Sequence, residues 1–156
     1  MSDRSFVAAD ARHLAFIAEA QAETARVSFG RPLAGNELSA LRERVTAALA
    51  DPGSHVLVLD GPGGPEGYVW VEGRADGRAF LLDIFVTRTA RRGGVGRRLL
   101  RQALESTQVL GRTELRLAVS GSNHGAQMLF RSLGFRETDQ EIREGVTWFE
   151  MARSAI

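Results

Sequence analysis

Residues 79–100 read AFLLDIFVTRTARRGGVGRRLL, and the two parts of that stretch follow different rules. The first eight residues are almost continuously apolar, which suits a central strand buried on both faces, with Asp83 as its single charge. Five arginines and three glycines follow (Gly93, Gly94 and Gly96), and from Gly94 onward Val95, Leu99, Ala103 and Leu104 keep an amphipathic helical rhythm as far as Gly111. The stretch is predicted to be a buried strand, a glycine-arginine loop and a helix start. Such a loop presents unpaired backbone N–H groups, glycine lets an anion approach them, and the helix dipole adds about half a positive charge. With the forked donors of Arg91, Arg92 and Arg97, the segment suits a pyrophosphate.

Upstream, residues 4–8 read as a short strand, and Asp10 can cap a helix with Leu14, Ile17, Ala18, Gln21 and Ala25 on one face, fading at Gly30. A second helix is predicted after Asn36, from the spacing of Leu38, Leu41, Val45, Ala48 and Leu49, and Asp51-Pro52-Gly53 stops it. Residues 55–60 (HVLVLD) and 68–72 (YVWVE) form a predicted hairpin around the loop GPGGPEG. Downstream come a strand at 114–119, a helix capped by Asn123, and a last hairpin of 135–143 and 146–151 turning at Glu144-Gly145. The predicted order is β-α-α-β-β-β-α-β-α-β-β, a mixed α/β fold.

The chain has 156 residues, 44% hydrophobic and 25% charged, the profile of one globular domain over 1–156. There is no cysteine, so thiolate nucleophiles and disulfides are excluded, and all 20 basic residues are arginine, which removes a P-loop lysine and any Schiff base. A net charge of +1 argues against a nucleic-acid or membrane partner for the surface as a whole. The N-terminus lacks a signal-peptide pattern and no apolar run approaches about 18 residues, so a cytoplasmic protein is expected. His13, His55 and His124 lack metal-ligand spacing, and no metal is assigned.

The arrangement Val86, Arg91-x-x-Gly94-x-Gly96, Leu99-Leu100 resembles motif A of the GNAT superfamily of acyl-CoA N-acyltransferases. Further on, Val119-x-x-x-Asn123-x-x-Ala126-x-x-Leu129-Phe130-x-x-Leu133-Gly134-Phe135 is similar to that superfamily's motif B, and the element order is similar over most of the chain. The resemblance implies a GNAT-like domain with a mixed, mostly antiparallel central sheet, and acetyl-CoA as acyl donor. It implies that the backbone of Ile84, Phe85 and Val86 pairs with the pantetheine arm. The amides of Arg92, Gly93, Gly94, Val95, Gly96 and Arg97 would hold the pyrophosphate, with Arg91 at the motif's first position. Asn123 and Phe130 would lie near the pantetheine and thioester. Many members of the superfamily are dimers, so a homodimer is one available assembly.

Transfer of an acetyl group to an amine needs a neutral nitrogen and a destination for its proton, because a free alkyl amine has a pKa of about 10. Asp83 is the first candidate for base or amine anchor, as the one charge in an apolar strand that enters the cofactor loop; the alternative is a structural carboxylate paired to an arginine. Glu72 is the second candidate and Glu150 the third. Phe130 departs from the superfamily pattern: many members have tyrosine there, and phenylalanine cannot protonate a departing thiolate. The one tyrosine, Tyr68, is assigned a packing role with a satisfied hydroxyl. Resemblance places the substrate walls in residues 28–37 and the last hairpin, whose Glu137, Asp139, Glu141 and Glu144 would favour a cationic small-molecule amine such as a polyamine or aminoglycoside, though a solvated hairpin explains the same acids. Acetylation of a peptide amine, or an acyl-CoA-binding module with little turnover, are the alternative functions.

Overall fold

A computed structural model describes residues 4–156. Seven strands form one sheet: β1 (Ser5–Ala8), β2 (Ser54–Gly61), β3 (Gly64–Gly73), β4 (Arg78–Val86), β5 (Glu114–Ser120), β6 (Arg136–Arg143) and β7 (Val146–Ser154). The order across the sheet is β1-β2-β3-β4-β5-β7-β6. Helices α1 (Leu14–Phe29) and α2 (Gly35–Leu49) lie between β1 and β2, α3 (Val95–Val109) between β4 and β5, and α4 (His124–Ser132) between β5 and β6. The order of strands and α-helices is the one read from the sequence. β4 and β5 run parallel, and the other neighbouring pairs among the described residues are antiparallel.

Strand alternation divides the core between the two faces of the sheet. Val69, Val71, Leu81, Leu115, Leu117 and Met151 pack with Leu99, Leu100 and Ala103 of α3 and Phe130 of α4. On the other face Val56, Val58, Tyr68 and Trp70 pack with Ile17 and Ala20 of α1 and Val45 and Ala48 of α2. A bulge in β4 interrupts this alternation. Trp70 stands opposite Asp83 but Val71 opposite Leu81, so Leu82 is the extra residue, and both Leu82 and Phe85 pack towards α1 and α2.

β4 departs from its predicted burial for a reason that matters to function. Its parallel partnership with β5 runs from Arg78↔Glu114 to Leu81↔Leu117 and stops there. Beyond Leu81 the two strands splay apart, and residues 82–86 are half-buried where a central strand buried on both faces was expected.

Three boundaries also differ. α2 begins at Gly35, before the expected Asn36 cap, because Glu37 Oε1 accepts the Ala34 N–H at 3.0 Å. Asp10 caps a 3-10 turn (Ala11–His13) that leads into α1. Most of the glycine-rich GPGGPEG segment belongs to β2 and β3, with Gly61 paired to Gly64 around Pro62-Gly63. Gly67 in that stretch is there for close approach: a Cβ would come within 2.5 Å of the Phe85 carbonyl oxygen and 2.7 Å of Leu99 Cδ1. The last turn is as predicted, with Glu144 (φ 52) and Gly145 (φ 76) both left-handed, as a tight hairpin turn requires.

Candidate active site

The splay of β4 from β5 opens two cavities that meet at its apex. The larger, about 630 Å³, is lined by Ile84, Phe85 and Val86 on the open edge of β4, by Arg91, Arg92, Gly94, Gly96 and Arg97 of the loop and α3, and by α4 with Asn123. The smaller, about 260 Å³, lies among α1, α2, β4 and β5 and contains Asp83. Thr24, Ile84, Asn123 and Ala126 line both.

The loop is shaped for an anion. Arg92 (φ 67) and Gly94 (φ 79) are both left-handed, and such alternation of backbone hand turns successive N–H groups towards one point. A left-handed arginine costs about 1–2 kcal/mol, a cost tolerated mainly at functional sites. Gly94 caps α3, so the N–H groups of Val95, Gly96 and Arg97 open the helix without intrahelical partners. Gly96 is needed for space: a Cβ there would lie 3.2 Å from Leu129 Cδ2. The Val95 side chain is core, so only its backbone faces the loop, and Gly93 lies outside the cavity lining.

Charge around this cavity is unequally committed. Arg91 Nη2 donates to Glu23 Oε1 at 3.1 Å and its Nε to the Val86 carbonyl at 3.2 Å, pinning the loop to α1 and to the end of β4. Glu23 was not visible as a site residue in the sequence, because it lies 68 residues from its partner on an ordinary helix face. Arg97 Nη1 donates to Ser132 Oγ at 3.3 Å, and no acid pairs with Arg92 or Arg97 among the described residues. Two arginine charges are therefore free to meet an anion.

Asp83 lines the smaller cavity, and the buried Tyr68 hydroxyl behind it donates to its Oδ2. Burial raises Asp83 from the ordinary carboxylate range to about 6, against the lowering effect of hydrogen bonds from Tyr68 and the Ile84 backbone. The Tyr68 phenol is pushed well above its usual range, by burial first and then by the Asp83 charge, so it stays a neutral donor. The expected alternative for Asp83, a pairing with arginine, is absent among the described residues. Its partner is a neutral phenol, so Asp83 can exchange a proton near neutral pH. Tyr68 thus has the packing role with a satisfied hydroxyl that was expected, and the partner that satisfies it is Asp83.

The other expected residues divide cleanly. Asn123 caps α4 by accepting the Ala126 N–H at 3.2 Å, which leaves its amide nitrogen for the junction of the cavities. Phe130 is buried, packs on Phe135 at 6.0 Å between ring centroids, and walls the smaller cavity together with Asn123 and Ala126. Glu72 lies two residues beyond Trp70, opposite Phe80, paired with Arg74 at 3.4 Å, and lines neither cavity. Glu150 is held by Arg116 at 3.2 Å, outside both. Ser28, Phe29 and Leu33 wall the smaller cavity as expected of their connection, with Trp148 from the last hairpin. The hairpin acids Glu137, Asp139, Glu141 and Glu144 do not line it.

Among the described residues no helix is long and apolar enough to cross a membrane, and no group of three or more His, Asp or Glu side chains could hold a metal.

The family model described as an acetyltransferase (GNAT) domain matches residues 52–137 of the chain. Among solved structures, nourseothricin acetyltransferase is 28% identical over 68% of each chain with a TM-score of 0.64. The yncA protein of Salmonella typhimurium, solved with its cofactor acetyl-CoA, is 21% identical over 99% of this chain and 95% of its own, TM-score 0.74. Spermidine N-acetyltransferase from Vibrio cholerae, in complex with CoA and spermine, is 18% identical over 97% and 95%, TM-score 0.79. The last two likenesses concern the fold. No curated protein matches the sequence.

Proposed function

The chain belongs to the GNAT acetyltransferase family, with acetyl-CoA as cosubstrate, and from that premise we propose that it acetylates the primary amine of a small molecule by direct attack on the thioester. The observation that carries the reading is the junction of the two cavities at Ile84, with an anion loop on one side and a proton-accepting carboxylate on the other.

Acetyl-CoA supplies the acetyl group as a thioester. The loop amides from Arg92 to Arg97 and the charges of Arg92 and Arg97 hold its pyrophosphate, and the edge of β4 at Ile84, Phe85 and Val86, which β5 no longer covers, offers the pantetheine arm the backbone groups not already taken by Asp83 and Arg91. Backbone N–H groups where β4 leaves β5 stabilise negative charge on the carbonyl oxygen. The acceptor ammonium first gives one proton to bulk water; Asp83, ionised above about pH 6, holds the resulting neutral amine and takes the second proton as the C–N bond forms, when the nitrogen is far more acidic than the free ammonium. The C–S bond breaks and the thiolate leaves. With Phe130 in the wall, its proton comes from water; a thiol-like leaving group of pKa about 8.5 departs without an enzymic acid.

Calorimetric titration with acetyl-CoA tests the first half of this reading. Binding that CoA displaces supports it; a folded protein that takes up neither overturns it. Phe130 is the specific observation favouring a second reading, an acyl-CoA-binding module with little turnover. That module binds acetyl-CoA and releases no thiol on addition of amine.

A further inference from the structure

The smaller cavity carries one acid and one arginine among its lining residues, at different depths. Asp83 sits at the β4 bulge. Arg44 of α2 is exposed, and its guanidinium lies over the Trp70 ring, 5.7 Å from the centroid. Trp70 in turn stands directly opposite Asp83 in the β3–β4 register. Arg44 thus touches the ring of Trp70, and Trp70 neighbours Asp83 across the strand pair, with Arg44 the exposed member of the three. Ten other arginines (4, 12, 31, 74, 78, 88, 91, 116, 131 and 143) lie within 4 Å of an acidic oxygen, whereas Arg44 has no acid and no hydrogen-bond partner among the described residues. The indole N–H groups of Trp70 and Trp148, both in the cavity wall, are buried and also donate to nothing described.

Two tryptophans beside a carboxylate look at first like a cage for a polycation, but the arrangement of charge opposes that. The Trp70 ring carries the Arg44 guanidinium, and the Trp148 ring carries Arg143 at 5.0 Å as well as Phe29 at 5.5 Å. Aromatic faces that would attract an ammonium are therefore shared with guanidinium groups. A second ammonium on the acceptor would meet Arg44, and no acid other than Asp83 lines the cavity to balance it. The unsatisfied groups are donors, which call for an anion or acceptor oxygens. Beside a few neutral polar groups (Gln21, Thr24, Ser28, Ser120 and Asn123), the lining is largely apolar, with Phe29, Leu33, Leu41, Leu82, Trp70 and Trp148. At about 260 Å³ the space lies below the roughly 300–1,000 Å³ of ordinary small-molecule sites, so the acceptor is small.

We propose that the acceptor is a zwitterionic amine, an amino acid with an apolar side chain, its amine at Asp83 and its carboxylate held by Arg44 at the mouth of the cavity. The inference rests on the acetyltransferase reading above. The reaction keeps the balance already given: the amine N–H proton passes to Asp83, the amide bond forms and the thiol is released.

The test is thiol release from acetyl-CoA with three acceptor sets: apolar amino acids (leucine, methionine, phenylalanine), the corresponding amines without the carboxylate (phenylethylamine among them), and polyamines. The expected result is a kcat/KM for one or more amino acids about 10- to 100-fold above its decarboxylated partner, the worth of one charge-assisted contact. In Arg44→Ala that preference collapses through KM, and Arg44→Gln restores part of it. Acetyl-CoA affinity, read by calorimetry on the same variants, reports folding and an intact cofactor site. Preference for polyamines or carboxylate-free amines, or refusal of every amino acid by protein that binds acetyl-CoA, overturns this inference and leaves the cofactor assignment standing. Failure to bind acetyl-CoA at all overturns the underlying reading instead.

Discussion

Tyr68 Oη donates to Asp83 Oδ2 on the α1–α2 face of the sheet, one diagonal step from Phe85, the residue directly opposite Tyr68. The contact joins a side chain that sequence alone assigns to packing with the one that sequence assigns to chemistry. It also gives the site a tunable proton: burial raises the Asp83 pKa to about 6 and the phenol restrains the rise.

Turnover should therefore follow the ionised form of Asp83. The acidic limb of the kcat/KM profile is expected near pH 6, the value at which the carboxylate is half protonated. Tyr68→Phe removes a hydrogen bond that favours the carboxylate, so the limb moves to higher pH. A profile with its limb in the ordinary carboxylate range, or one that Tyr68→Phe leaves in place, would separate Asp83 from the rate.

Asp83→Asn removes the base and keeps an acceptor for the phenol. General-base loss is expected to cost about 10²- to 10⁴-fold in kcat, with acetyl-CoA affinity little changed. Stability moves the other way. An acid whose folded pKa is raised above its unfolded value favours the fold fully below about pH 4, and this contribution disappears as pH rises through about 6. Above pH 6 the ionised aspartate is a net cost, so the asparagine variant should melt higher there, by on the order of 1–3 kcal/mol, and the two proteins should converge below about pH 4. Thermal melts across that range check the sign.

Charge at the loop can be separated from shape at Gly94. Asparagine and aspartate both tolerate its left-handed backbone at a cost of about 1–2 kcal/mol, and no atom stands within 4 Å of the added Cβ. Gly94→Asp should bind acetyl-CoA more weakly than Gly94→Asn, and the gap should narrow as salt screens the new charge. Equal affinities by calorimetry would take the pyrophosphate away from this loop.

Glu72→Gln should leave kcat/KM within about twofold of the parent, as expected of a half-exposed side chain paired only with Arg74. A large loss would place a proton path along β3 that its geometry does not provide.

What the sequence disclosed was mostly local. The anion loop is legible because its glycines, arginines and following helix are contiguous, and the hairpin turn at Glu144-Gly145 because two left-handed residues are written side by side. What it concealed depends on register. Glu72 and Asp83 are both acids in adjoining strands, and only the β3–β4 pairing reveals that Glu72 is opposite Phe80 while Trp70 faces Asp83. The Leu82 bulge, next to the point where β4 stops pairing with β5, leaves no mark in an apolar run. Arg44 looks like any charge on a solvated helix face, and its position over Trp70 follows from how α2 packs on the sheet. The hairpin acids misled for the converse reason: they are contiguous, but β6 is exposed along its length and carries them outside the acceptor cavity.

Acceptor-dependent thiol release, measured together with the N-acetylated product by mass spectrometry, tests the central claim most directly. With acetyl-CoA at pH 8 and the amine panel above, the expected result is one mole of N-acetylated amine per mole of thiol, at a rate that falls at least about 100-fold in Asp83→Asn. Acetyl-CoA binding without amine-dependent thiol release would contradict the account and identify a binding module. Release at the same rate in Asp83→Asn would keep the enzyme and move its proton acceptor elsewhere.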